Sequence, residues 1–372
     1  DMKVNTISLN SVRLNTIALN HIGEIRSGGG ASKPSPIPQW IREHIVFYYD
    51  VKKQGATNET LKESAYLQDL SGKGRRMKLN NFLFDMMSGV DGYKNETFET
   101  VPNNTNIKWS HLSYYSIEGK PTQKSTDFGL YRVKNNVNKV LYLKWNIEGI
   151  QEGNKVYLAQ YNNESTRIEL TNGVNDIAFD TTNSDNPGYG SVTIISDQPY
   201  STDITITQIP EYPGALVTDG LDDYGLVENL SSGVKMLFMT VNPMVSNIML
   251  YDQRFQRDEL FQVYSFPNRV AYILNINNSE MNKQGKVYIN GKLNTTIVAN
   301  DLLNVKHIVT VTANDLVTVK KRHVFFNSSV GVAYYAKLAF YNSIAFDSIP
   351  TEADGFTEQE LIDYVLTNII GQ

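Results

Sequence analysis

The chain has 372 residues, room for two or three domains at about 150 residues each, and its 41% hydrophobic and 20% charged residues exclude wholesale disorder. With 34 Lys and Arg against 39 Asp and Glu the net charge is -5, which offers no positive field to nucleic acid. There is no Cys, so disulfide scaffolds, thiolate zinc sites and thiol nucleophiles are excluded together.

The first element in chain order is a repeat. Asn5-Thr-Ile-Ser-Leu9, Asn10-Ser-Val-Arg-Leu14, Asn15-Thr-Ile-Ala-Leu19 and Asn20-His-Ile-Gly-Glu24 are successive pentads of the form N-x-[IV]-x-L. Ile7, Leu9, Val12, Leu14, Ile17, Leu19 and Ile22 step by two and then three, so short extended stretches are turned at each Asn. One such row has no second layer within its own chain, and repeat units need stacked neighbours. Residues 1–27 are therefore expected to form an arm or stalk that orders against other chains, most simply in a homotrimer. The alternating polar and apolar positions are not those of an export signal, and no window approaches a membrane-spanning length of apolar residues. No membrane insertion is expected.

Residues 28–39 combine a Gly run with X-Pro units and read as a linker. Beyond them, short runs rich in Val, Ile, Tyr, Phe and Thr are separated by Asn, Gly and Asp, which predicts a nearly all-β body. One helix is expected at the C-terminus. Thr357 and Glu360 form a capping box, Leu361, Ile362, Val365, Leu366, Ile369 and Ile370 share a face, and Gly371 follows.

Several short motifs, in order, carry a family resemblance. Ile45-Val-Phe-Tyr-Tyr-Asp50, Asp69-Leu-Ser-Gly-Lys-Gly74 and Leu79-Asn-Asn-Phe-Leu-Phe84 resemble the first strand, the D-x-S-G-x-G turn and the next strand of the laminin-G-like branch of the concanavalin A-like jelly rolls. Leu216-Val-Thr-Asp-Gly-Leu-Asp-Asp-Tyr-Gly225 is similar to the family's F-D-G-x-x-D-Y strand entry, more than a hundred residues late. The order then resumes with Val270–Leu274, the Lys286–Lys292 hairpin and Lys337–Phe346. The resemblance implies a jelly roll formed by residues 40–97 and 213–372, split by an inserted β-sandwich over 98–212. Strands of the insert are expected near Ile107–Ile117, Val140–Ile147, Lys155–Tyr161, Arg167–Leu170, Val192–Ser196 and Ile204–Ile209. Arm, linker and split domain together also resemble fibre and appendage proteins of tailed phages of Bacteroidales gut bacteria. That likeness implies a virion location, with other virion proteins as partners through the arm and host-surface glycans as a ligand.

Members of this fold often hold calcium on loop carboxylates, which makes Asp219, Asp222 and Asp223 candidate oxygen ligands. Their other reading is a turn at Asp219-Gly220 with Asp222 and Asp223 capping strand ends, and no cofactor is expected. Trp109, Tyr114 and Tyr115 form a candidate stacking platform for sugars, against a role in the core of the inserted sheet. Retaining glucanases of the fold carry E-x-D-x-x-E on a strand. Glu352-Ala-Asp354-Gly-Phe-Thr-Glu358 has one residue too many and reads as helix capping. His21, His44, His111, His307 and His323 show no metal-ligand spacing, and Lys320-Lys-Arg-His323 reads as a solvated hairpin. No catalytic residue is assigned and no enzyme is expected. A bacterial surface glycan-binding module and a glycoside hydrolase on the same fold are the rival functions.

Overall fold

The computed structural model describes residues 35–85, 87–93, 98–99, 107–112, 116–121, 126–132, 140–160, 163–180, 189–195, 201–228, 230, 233–254, 260–265, 267–269, 271, 273–276, 285–313, 322–327 and 335–371. The arm residues Ile7 to Ile22, and Tyr114 and Tyr115, lie outside them. The protein is all-β, built from antiparallel sheets with a few short helices. It divides into two compact units, Gly92–Glu211 and the flanking Asp1–Asp91 with Tyr212–Gln372.

The flanking unit is a sandwich of an eight-stranded and a seven-stranded sheet. Each sheet takes strands from both sides of the 92–211 segment. Gly89–Val90 pairs with Leu216–Val217 in the larger sheet, and Met77–Asn80 pairs with Tyr224–Glu228 in the smaller. One apolar core lies between the sheets, with Phe47, Tyr49, Leu237 and Phe340 from the larger and Leu79, Val227, Tyr251 and Phe325 from the smaller. The larger sheet is covered on its other face too. Trp40 and Ile41 of the helix Ile37–His44, and Leu361, Ile362 and Val365 of the helix Glu358–Val365, pack there on Tyr48, Phe238, Ile344 and Phe346. This is why Ile45–Asp50 and Met236–Pro243 are buried at every position, without the alternation of a half-exposed strand.

Local chemistry explains the ends of these elements. Asn290 and Gly291 both take positive φ, 50° and 80°, and turn Gly285–Ile289 back onto Lys292–Leu293 as a type I′ hairpin requires. Asp69 organises the D-L-S-G-K-G turn: Oδ1 accepts from the backbone N–H groups of Tyr48 and Ser71, and Oδ2 from that of Arg75. The C-terminal helix starts at the Thr357–Glu360 capping box and ends in a π turn, Leu366–Ile370. The wider turn keeps Ile369 and Ile370 buried beside Val365.

Several expectations are corrected. The helix Ile37–His44 begins inside the segment read as linker, because Pro is tolerated in a first turn whose N–H groups have no intrahelical partner. A second unforeseen helix, Asn58–Ser64, is short and capped by Thr57. The strand expected over Leu79–Phe84 ends at Asn80, since Asn81 and Phe84 take positive φ.

The unit Gly92–Glu211 holds two five-stranded sheets. Leu143, Trp145, Ile147, Ile177 and Phe179 of one sheet meet Val156, Leu158 and Leu170 of the other in a separate core. Here strands alternate: Ile204, Ile206 and Gln208 are buried while Thr205 and Thr207 are half-buried. Three strands go beyond those expected from the sequence, Thr126–Arg132, Gly173–Asp180 and the two-residue Phe98–Glu99, and the strand expected near Ile107–Ile117 is a pair, Ile107–Leu112 and Ser116–Pro121. The first carries Gly129 mid-strand, and the second opens with Gly, Asn and Asp, residues that strands disfavour.

Candidate functional site

The three acidic candidates lie where the chain leaves one sheet of the flanking unit for the other. Leu216–Val217 belongs to the eight-stranded sheet and Tyr224–Glu228 to the seven-stranded one, so Asp219 to Asp223 form the crossing turn. Gly220 has φ +80°, and a Cβ there would stand 2.8 Å from Cβ of Lys337, so only glycine is accommodated without a shift. One oxygen from each of Asp219, Asp222 and Asp223 falls within 4.8 Å of the others.

Bonds within the turn account for most of this convergence. Asp223 is fully buried; its Oδ2 accepts from the backbone N–H of Asp219 at 2.9 Å and its Oδ1 from the Ser88 hydroxyl at 3.0 Å. Ser88 Oγ in turn accepts the backbone N–H of Leu83. Asp219 Oδ1 accepts from the N–H of Leu221, and the Asp222 carbonyl from the Asn81 side chain. Burial pushes the Asp223 carboxyl up to about 7; the nearby charges of Asp219 and Asp222 push the same way, against hydrogen bonds that favour the carboxylate. Calcium takes about six to eight oxygens. Three carboxylates, two of them already accepting backbone or hydroxyl hydrogen bonds, would need carbonyls and waters to complete that shell. The hydrogen bonds make Asp223 the pin between two stretches of chain.

The stretch from Glu352 to Glu358 does not form a carboxylate pair across a strand. Asp354 closes a capping box with Thr351 on a 3-10 turn, and Glu358 accepts from Lys286 at 2.8 Å and from Tyr288 at 2.7 Å. His323 is not on a solvated hairpin. It is fully buried in the strand Arg322–Phe325, its Nδ1 bonded to the Tyr251 hydroxyl, and burial lowers its pKa to about 3 with help from the Arg75 charge.

Of the aromatic candidates, Trp109 lies on the strand Ile107–Leu112, at one edge of its sheet. Among the described residues the exposed aromatic of the Gly92–Glu211 unit is a different one. Tyr142, on the strand Val140–Glu148, is 74% exposed and is the sole aromatic among the large exposed hydrophobic side chains described. The sequence did contain a signal for it. Leu143, Trp145 and Ile147 alternate with Lys144, Asn146 and Glu148, which puts Tyr142 on the polar face.

No family model matches the chain, and no curated protein matches it. Among solved structures, one described as the structure of allantoicase aligns with 87% of this chain and 99% of its own at 10% identity, with a TM-score of 0.13. A likeness that weak carries no argument about fold or function.

Proposed function

We propose that this chain is a non-enzymatic structural protein of a phage virion, a fibre or appendage component whose work is assembly and surface display. In this reading the arm of residues 1–27 joins copies into a homotrimer and docks them on other virion proteins, while the jelly roll carries a second β-sandwich that meets host-surface glycans. The observation that carries the reading is the interrupted architecture. The flanking unit draws strands for both of its sheets from either side of the 92–211 segment. Glu211 N–H donates to the Gly92 carbonyl and Tyr212 N–H to that of Asp91, so the two crossings of the chain lie side by side. A guest inserted in this way leaves the host's core intact and is free to vary, which suits display. Four of the carboxylates that were catalytic or metal candidates, those of Asp219, Asp223, Asp354 and Glu358, are engaged in a turn, a pin, a cap and a tether, which also favours a structural role. Antibody raised against the purified chain should label intact virions from cells expressing its gene; label confined to the cell envelope would favour the bacterial surface module instead.

A further inference from the structure

The outer face of one sheet of the Gly92–Glu211 unit has a composition that its fold does not require. Val140–Glu148 pairs with the edge strand Gly173–Asp180 so that Val140 faces Asp180, Tyr142 faces Ala178, Lys144 faces Asp176 and Asn146 faces Val174. On its other side Asn146 faces Thr207, whose hydroxyl lies 3.3 Å from that of Ser116. Tyr142, Lys144, Asp176, Ala178 and Asp180 are all exposed. An aromatic ring thus stands among charged, amide and hydroxyl groups with the exposed Val140 and Val174 nearby, opposite a methyl group too small to cover its flank.

We propose that this face is a saccharide-binding platform on which Tyr142 stacks a neutral hexopyranose of a polysaccharide chain. A pyranose presents apolar C–H groups on its faces and hydroxyls around its rim. Tyr142 supplies a flat apolar surface for the first. Asp180, Asp176 and Lys144 supply acceptors and a donor for the second. Lys144 pairs with Asp176 at 3.7 Å, so this pair offers no excess positive charge to draw a uronate or sulfated sugar. A protein partner fits less well. A stable protein interface needs roughly 800 Å² per side with several apolar anchors, and this face offers one ring with the small side chains of Val140 and Val174 among charged and amide groups. Strand addition is also hindered. Asn175 occupies the start of the edge strand, bonding the backbone of Thr171 and Gly173, and Gln160 bonds the Asp180 carbonyl at its end.

This inference rests on the display reading and names its ligand class. The test is affinity electrophoresis of the full chain in gels carrying cellulose-, mannan-, xylan- or laminarin-derived neutral polysaccharide, with polygalacturonate as the anionic contrast. At least one neutral polysaccharide should retard the chain and polygalacturonate should not. Tyr142→Ala should weaken the retardation about tenfold or more, while Tyr142→Trp should keep it and Leu293→Ala, another exposed side chain, should leave it unchanged. Equal melting temperatures would show that all variants fold, as expected for changes at exposed positions. Retardation unaffected by Tyr142→Ala would overturn the platform, and so would retardation by polygalacturonate alone or by no polysaccharide. None of these outcomes moves the virion labelling, which tests the display reading separately.

Discussion

Asp223 uses its carboxylate to hold Asp219 and Ser88 in place, and burial makes its proton hard to lose. A carboxyl whose folded pKa is raised gives stability that is present below its unfolded value near 4 and is lost as pH rises through about 7. His323 works in the opposite direction. Held neutral down to about 3, it costs stability as pH falls below its unfolded value near 6.5. The two slopes oppose each other in the wild type, so a difference measurement isolates the aspartate. Asp223→Asn keeps a neutral side chain of the same shape, and its stability relative to wild type should rise between pH 4 and 7 and level off above. Urea unfolding at a series of pH values checks this; a constant difference would show that Asp223 is ionised throughout. The acidic triplet was legible in the sequence because its members sit within five residues around a glycine. The pairing of Asp223 with Ser88 was not, since 135 residues separate them. Tyr142 was legible only through strand alternation, which names a face without saying what covers it.

The elements of the flanking unit owe their burial pattern to a third layer. Ile45–Asp50 and Met236–Pro243 have no polar face because helices Ile37–His44 and Glu358–Val365 take the place of solvent. The C-terminal helix was readable from its cap and its apolar face, local features of a few residues. The helix Ile37–His44 was not, because Gly and Pro before it mimic a linker until Trp40 and Ile41 find the sheet. Strands in the Gly92–Glu211 unit were readable where β-branched residues dominate and were missed where Gly, Asn or Asp intervene. Loosening the helix Glu358–Val365 at its start tests the layer. Thr357 accepts from the N–H of Glu360, so Thr357→Ala should cost about 0.5–2 kcal/mol in urea unfolding. No measurable change would mean that packing alone holds the helix on the sheet.

At the scale of the molecule, the two units answer different physical demands. One is a wide sandwich closed by helices, whose sheets are completed only when the chain returns at Tyr212. The other is a smaller sandwich whose strands keep polar faces. The change between continuous and alternating apolar patterns along the chain follows from that difference, and both patterns have the short, turn-bounded runs that make the all-β class legible from residue order alone. The pentads of the first 27 residues belong to neither pattern. Burying each of Ile7, Leu9, Val12, Leu14, Ile17 and Leu19 is worth roughly 1.5–3 kcal/mol, and one chain has no second row to supply it. In the proposed homotrimer, three copies around an axis would supply the missing second row. Light scattering on the full chain and on a variant lacking residues 1–27 tests this assembly role most directly. The account predicts three times the chain mass for the first and a single chain mass for the second; a single chain mass for both would contradict it.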